Sequence, residues 1–246
     1  MATTLVVPCF NEASRLDTDT FLSFAEATDA SFVFVDDGSR DDTFAMLQRM
    51  ADAHPTSITA LRLEHNQGKA EAVRFGMATA QKGPSEFVGF WDADLATPLS
   101  ELEALLEHFK GADRLQMVAG SRVLLMGRRI DRKPIRHYTG RVFATVVSII
   151  LGLPIYDTQC GAKVFRNNKI TRQLFGDAFV SRWIFDVELV ARLARAVGAR
   201  DATTMANYLV EHPLMTWTDV PDGKLKLGDF ARSAVDLARI YKRYLR

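Results

Sequence analysis

Asp92-Ala93-Asp94 closes the apolar run Phe87-Val88-Gly89-Phe90-Trp91 with two carboxylates around a small residue. Hard divalent cations take oxygen ligands and share them with phosphates. A strand ending in such a pair can hold Mg²⁺ or Mn²⁺ against a nucleotide diphosphate, or it can cap the next turn. A second acidic strand end, Phe32-Val33-Phe34-Val35-Asp36-Asp37-Gly38-Ser39, and a polar exit from the opening strand, Pro8-Cys9-Phe10-Asn11-Glu12, favour the first reading. Glu12 and Asp37 can accept hydrogen bonds from a pyrimidine N–H or a ribose hydroxyl; the plainer alternative for Asp37 is a helix-capping turn. Asn66-Gln67-Gly68-Lys69 puts a glycine and a cation before a helix N-terminus, which favours anions but is also a common strand-to-helix turn. Asp94 is the candidate direct metal ligand, with Asp92 on the ribose or on the metal through water.

The elements around these residues alternate. Strands are expected at 4–8, 32–35, 58–63 and 86–91, with helices at 17–28 (started by Asn11 or Ser14), 43–50, 69–81 and from Pro98 onward. Near-continuous apolar strands alternating with helices describe an α/β fold with a mostly parallel sheet covered on both faces. Ligands of such sheets sit beyond the carboxyl ends of the strands. The second half reads as strand 117–122, helix 134–151, a turn before strand 162–165, helix 183–197, strand 204–211 and an amphipathic helix 228–245. With no repeat or linker, a single domain is expected over 1–246, its nucleotide-binding half at 1–95 and its acceptor-side half at 96–246.

Of 246 residues, 48% are hydrophobic and 25% charged, an ordinary globular composition. No apolar stretch reaches the roughly 20 residues that span a bilayer, and the start lacks the basic region of a signal peptide. Cys9 and Cys160 form neither a disulfide framework nor a metal pair by spacing. A cytoplasmic protein is expected.

The net charge of +1 is unevenly spread. Arg122, Arg128, Arg129, Arg132, Lys133, Arg136 and Arg141 face only Asp131 in their segment, and residues 224–246 carry seven more basic residues against two acidic ones. The rest holds 17 basic and 27 acidic residues. Two basic blocks on an acidic body suit an anionic partner, namely a diphosphate, a lipid phosphate or an anionic membrane surface rather than nucleic acid; solvated helix faces are the plainer alternative. The first block precedes the apolar run Val142 to Ile150, which is either core or a surface resting on lipid.

In order along the chain, Val7-Pro8-Cys9-Phe10-Asn11-Glu12, Val35-Asp36-Asp37-Gly38-Ser39, Asn66-Gln67-Gly68-Lys69, Asp92-Ala93-Asp94, Gly120-Ser121-Arg122, Asp157-Thr158-Gln159-Cys160-Gly161 and Trp183-Ile184-Phe185-Asp186-Val187-Glu188 resemble family 2 glycosyltransferases with the GT-A fold. The branch most similar moves a sugar from a nucleotide to a polyprenyl phosphate, as the dolichyl-phosphate glucosyl- and mannosyltransferases do. The resemblance implies an inverting transfer from a UDP-linked nucleotide sugar with Mg²⁺ or Mn²⁺. It implies donor binding by Pro8, Asn11, Glu12, Asp37, Lys69, Asp92, Ala93 and Lys224, the last in a loop that can close over the nucleotide, with Asp94 and Asp92 at the metal. On the acceptor side it implies Arg122, Arg128, Arg132, Arg136 and Gln159, with Asp186 turned inward near the acceptor and Asp186 and Asp92 as the catalytic carboxylates. Gln159 could instead belong to a simple turn, and Asp186 could be an ordinary helix-start carboxylate. Arg182-Trp183 lacks the surrounding Gln-x-x-Arg-Trp pattern of processive synthases, and no apolar stretch here matches the membrane anchor of the branch, so a hydroxyl of a small molecule or glycan is the alternative acceptor expected. A non-catalytic nucleotide-sugar-binding module is the other alternative, since a fold does not guarantee its chemistry. A lipid acceptor would place the protein peripherally on the cytoplasmic face of a membrane.

Overall fold

A computed structural model describes residues 1–131, 134–220 and 227–245. In chain order the elements are β1 (Thr3–Cys9), α1 (Thr18–Ala27), β2 (Ala30–Asp36), α2 (Thr43–Ala53), β3 (Ile58–Arg62), α3 (Lys69–Ala80), β4 (Phe87–Phe90), α4 (Glu101–Glu107), β5 (Met117–Ser121) and β6 (Arg129–Asp131). They continue with α5 (Pro134–Leu151), β7 (Lys163–Arg166), α6 (Lys169–Gly176), α7 (Phe185–Val197), α8 (Ala202–Met205), β8 (Leu209–Pro213), β9 (Thr216–Thr218) and α9 (Leu227–Ile240), closed by a π-turn at Tyr241–Leu245. The chain forms two compact units, residues 1–95 with 161–178, and residues 96–160 with 179–246.

The first unit is an α/β layer. Strands β3-β2-β1-β4 run parallel, and β7 joins β4 antiparallel. Alternation along β2 sends Phe32 and Phe34 to one face and Val33 and Val35 to the other. Phe21 of α1 packs edge-on against both phenylalanines, with ring centroids 5.2 and 5.1 Å away. On the opposite face, a Cβ on Gly76 of α3 would sit 2.4 Å from Val6 Cγ1 and 2.8 Å from Val35 Cγ2, so only glycine lets that helix lie so close. Helices therefore cover both faces, as the continuous apolar strands require.

The second unit holds the parallel pairs β5-β8 and β6-β9, and α7, which packs against α9 and the C-terminal π-turn. From Phe185 to Ala194 every residue of α7 is buried, which makes it a core helix. Its end is set by Gly198, which adopts the left-handed C-cap conformation at φ 69.

Several sequence expectations shift. Asp17, not Asn11 or Ser14, caps α1 through its bond from Thr20 N. Pro98 accepts a turn bond from Glu101 N, and α4 starts three residues later than the proline suggested. The strand expected over 204–211 begins at Leu209, because residues 202–205 form a helical turn in which Asp201 accepts from Thr204 N at 2.9 Å. The C-terminal helix changes to a π-turn at Tyr241.

Candidate active site

Parallel pairing puts the exits of β1, β2, β3 and β4 at one edge of the first unit. The segments after β1 and β2 are stitched together. Asn11 N donates to Ser39 Oγ at 2.9 Å, Glu12 N to Thr43 Oγ1 at 2.8 Å, and Arg40 N to Asn11 Oδ1 at 2.9 Å. Asn11 has φ 55, a left-handed conformation that asparagine tolerates. Pro8 lies inside β1, which runs one residue further, and Glu12 is clamped by Arg15 at 2.5 and 2.6 Å. Burial, and then the charges of Glu12 and Asp36, push the Cys9 thiol well above its ordinary range, so it stays neutral.

Asp37 organises the loop after β3. Its carboxylate accepts from Gln67 N at 2.7 Å, Gly68 N at 2.8 Å and Asn66 Nδ2 at 2.9 Å, and it is only 3% exposed. Gly38, at φ 66, lets the two loops touch, since a Cβ there would lie 2.6 Å from the backbone of His65. These bonds fix the loop beside Lys69 through Asp37, the residue expected to meet a ligand's N–H or hydroxyl groups.

At the exit of β4, Lys69 Nζ lies 2.5 Å from Asp92 Oδ1. On the other side, a Cβ added to Gly161 would fall 1.9 Å from Asp92 Oδ2. The Asp92 carboxylate is thus seated between an ammonium and bare backbone. Ala93 is buried, Asp94 is half-buried, and Leu95 follows at φ 52, which is uncommon for a leucine and marks a sharp turn after the second carboxylate. No group of three or more His, Cys, Asp or Glu that could hold a metal occurs among the described residues. The Asp92 and Asp94 pair still suits Mg²⁺, which typically binds one or two carboxylates and completes its shell with substrate phosphates and water.

In the second unit, Arg122 and Asp157 form a bidentate pair at 2.7 and 2.8 Å, and Asp157 also accepts from Arg122 N at 3.0 Å. Glu211 of β8 takes Tyr156 N and Asp157 N at 2.8 and 2.7 Å, fixing the loop. Arg141 donates to Tyr156 O at 3.1 Å and lies 3.6 Å over the Tyr156 ring. Arg122, Arg141, Tyr156 and Asp157 line a small cleft with Phe143 and Gln159, whose Nε2 is buried with no hydrogen-bond partner among the described residues. The Arg122 and Arg141 guanidinium groups at this cleft suit an anionic oxygen, with the Asp157 carboxylate of the same lining already paired to Arg122.

Of the expected acceptor residues, the structure brings Arg122 and Gln159 together. Arg128 contacts Met215 Sδ, and Arg136 lies in the first turn of α5. Arg132 and Lys224 fall outside the described residues. Asp186 is in the first turn of α7, 4% exposed. Glu188, fully buried, accepts from Val180 N at 2.7 Å, Arg192 Nη2 at 2.7 Å and Tyr244 OH at 2.9 Å. Sequence reasoning gave no role to Gly161, Asp157 or Glu211. Gly161 and Asp157 lie in a motif already singled out, whereas Glu211 carries no local signal because its partners are 54 and 55 residues away.

Residues 4–174 match the model of glycosyl transferase family 2. The chain belongs to this family. It is 32% identical over 251 residues to a dolichyl-phosphate beta-glucosyltransferase of Trichomonas vaginalis, covering 97% of this chain and 70% of the relative. It is 30% identical over 258 residues to the dolichyl-phosphate beta-glucosyltransferase of Dictyostelium discoideum, covering 98% and 74%. Among solved structures, glucosyl-3-phosphoglycerate synthase from Mycobacterium tuberculosis superposes with a TM-score of 0.68 at 16% identity, over 99% of this chain and 80% of that one. This family 2 member is a glycosyltransferase with the GT-A fold. No helix among the described residues is long and apolar enough to cross a membrane.

Proposed function

We propose that this glycosyltransferase moves a glucose-type sugar from a UDP-linked donor to a polyprenyl phosphate, with inversion. The observation that carries this reading is the cleft lined by Arg122, Arg141 and Gln159, whose guanidinium groups can meet a phosphate. Two dolichyl-phosphate beta-glucosyltransferases that match nearly the whole chain support it.

The chemistry needs little from the protein at the nucleophile. A phosphate monoester has its second pKa near about 6 and is ionised at pH 7. One of its oxygens attacks the anomeric carbon as the bond from that carbon to the UDP oxygen breaks, and UDP leaves. No proton must be taken, so cations that position the phosphate matter more than a general base. Asp186 would act as base only if the acceptor were a hydroxyl. On the donor side, Asp92 and Asp94 would hold Mg²⁺ or Mn²⁺, which supplies Lewis-acid neutralisation of the departing diphosphate. Lys69 holds Asp92 in place and adds positive charge where that diphosphate gathers.

The test is donor consumption with a radiolabelled sugar, polyprenyl phosphate and Mn²⁺. UDP-glucose should give a glucosylated lipid, and Arg122→Ala should cut that product while sparing donor hydrolysis. Transfer from GDP-mannose only, or to soluble hydroxyl acceptors only, overturns the assignment.

A further inference from the structure

The π-turn Tyr241–Leu245 reaches into the second unit by one side chain. Tyr241, Lys242 and Arg243 are exposed, whereas Tyr244 turns back and donates its hydroxyl to Glu188 Oε1 at 2.9 Å. Turns of this kind are rare and frequently sit at functional sites. This one packs against α7, and Arg195 Nη1 of that helix donates to Arg243 O at 3.2 Å. Glu188 carries the contact onward to the chain before α7. Its Oε2 accepts from Val180 N at 2.7 Å, while its Oε1 serves both Arg192 and Tyr244. Arg192 lies 4.4 Å over the Phe179 ring, which packs 5.3 Å from the ring of Phe185.

Residues 179–184 form neither helix nor strand, so side-chain contacts must set their path. Ser181, itself buried, accepts from Trp183 N at 3.2 Å and Ile184 N at 3.0 Å. The stretch presents Trp183 at 56% exposure and leads directly into the first turn of α7, which holds Asp186. We propose that Tyr244 is a positioning residue for sugar transfer. It acts through Glu188 to hold residues 179–186, and with them Trp183 and Asp186, in the geometry that the acceptor meets. The two oxygens of Glu188 belong to one rigid carboxylate. A hydroxyl bond to such a charged, buried group is strong. Its loss lets the carboxylate rotate toward Arg192, and the oxygen that holds Val180 N must then move as well. The inference rests on the acceptor-side reading of Asp186 and deepens it by naming what fixes the start of its helix.

The test compares the full chain with Tyr244→Phe, which keeps the ring beside Arg192 and removes only the hydroxyl. Acrylamide quenching of fluorescence reads Trp183, because the other two tryptophans, Trp91 and Trp217, are 0% and 8% exposed. Loosening the stretch uncovers the rest of that indole, so quenching should rise about twofold. Steady-state kinetics use UDP- and GDP-linked hexoses with a short isoprenyl phosphate or an alkyl hexoside, in the combination that the wild type consumes fastest. The acceptor KM should rise about tenfold in Tyr244→Phe while the donor KM stays within about twofold. Circular dichroism checks the fold, and Tyr241→Phe, an exposed tyrosine of the same turn, should move none of these readouts. Glu188→Gln, which keeps an acceptor for Val180 N but no charge for Arg192, should shift quenching and acceptor KM in the same direction. A folded Tyr244→Phe with unchanged quenching and unchanged acceptor KM overturns the proposal. So does a fall in kcat alone, since that is the mark of a smaller active fraction. If Tyr244→Phe does not fold, Glu188→Gln decides by the same two readouts. Transfer to the hexoside alone overturns the lipid-phosphate assignment, and the split in KM read on the hexoside then still supports Tyr244.

Discussion

Asp92 shows how much of a carboxylate's role is set by what surrounds it. Lys69 Nζ at 2.5 Å holds one oxygen, and the absence of a side chain at Gly161 makes room for the other. Gly161 has no positive φ, so its requirement is space and not backbone conformation. Gly161→Ala would put a methyl group within bonding distance of Oδ2, and either Asp92 or the 157–161 loop must move. A displacement near 1 Å at a reacting centre costs about 10²-fold in rate. Gly161→Ala is therefore expected to lower donor turnover by about that factor while the protein stays folded, as read by steady-state kinetics alongside circular dichroism. Unchanged turnover would show that the loop yields without disturbing Asp92. The Asp92-Ala93-Asp94 motif is legible in the sequence because it is contiguous and ends an apolar run. The seat beneath it is not, since Lys69 and Gly161 lie 23 and 69 positions away, and only folding brings them to one carboxylate.

At the scale of elements, α7 is held by a buried ion pair that its sequence only partly reveals. Glu188 and Arg192 are four apart on one helix face, the spacing at which side chains meet. Nothing local shows that Val180 N and Tyr244 OH complete the shell. Burial, and then the bond to Glu188, raise the Tyr244 phenol above its ordinary pKa. Glu188→Ala would leave Arg192 buried without its carboxylate, a loss of about 3–5 kcal/mol. Urea unfolding should show it as a lower midpoint with an unchanged slope; a change under about 1 kcal/mol would mean that Arg192 finds solvent. The join between α4 and β8 is pH-sensitive. His212 Nδ1 lies 2.9 Å from His108 Nε2, and its Nε2 is 3.9 Å from Glu101. Burial, and then the neighbouring His108, lower the His212 pKa below its usual 6.5, with Arg128 acting in the same direction and Glu101 opposing. The folded state thus prefers neutral His212, while the unfolded chain takes up a proton near 6.5. Stability conferred by this residue is complete above that pH and declines as pH falls through 6.5 toward the lowered folded value. Thermal melts of wild type from pH 7.5 to 5.5 should fall more steeply than those of His212→Gln. Parallel curves would remove His212 from the account.

For the whole molecule, the first 95 residues are the readable part. Each strand there is a short apolar run with its functional residues at its own end, so local pattern and site coincide. The later chain departs from that rule. The three-residue strands β6 and β9 are too short to carry a period, and α8 is set by one capping aspartate. The sequence of α5 shows an apolar helix without showing which side faces water. Chain order also conceals that residues 161–178 return to the first compact unit. That return bears on the last expectation, because it supplies Gly161 to the strand end that is proposed to bind UDP with a metal. A diphosphate meeting the Asp92 and Asp94 carboxylates faces repulsion that a divalent cation would relieve. Ligand at a hundredfold excess over its Kd stabilises by about 2.7 kcal/mol, or roughly 5–10 °C for a domain of this size. UDP with Mn²⁺ should raise Tm by that much, and UDP in excess chelator should not. Asp94→Ala should melt near the wild type without ligand and lose the metal-dependent part of the shift. If UDP protects equally in chelator, the donor is held by Lys69 and backbone N–H groups without a metal, and Asp94 then has no metal to bind.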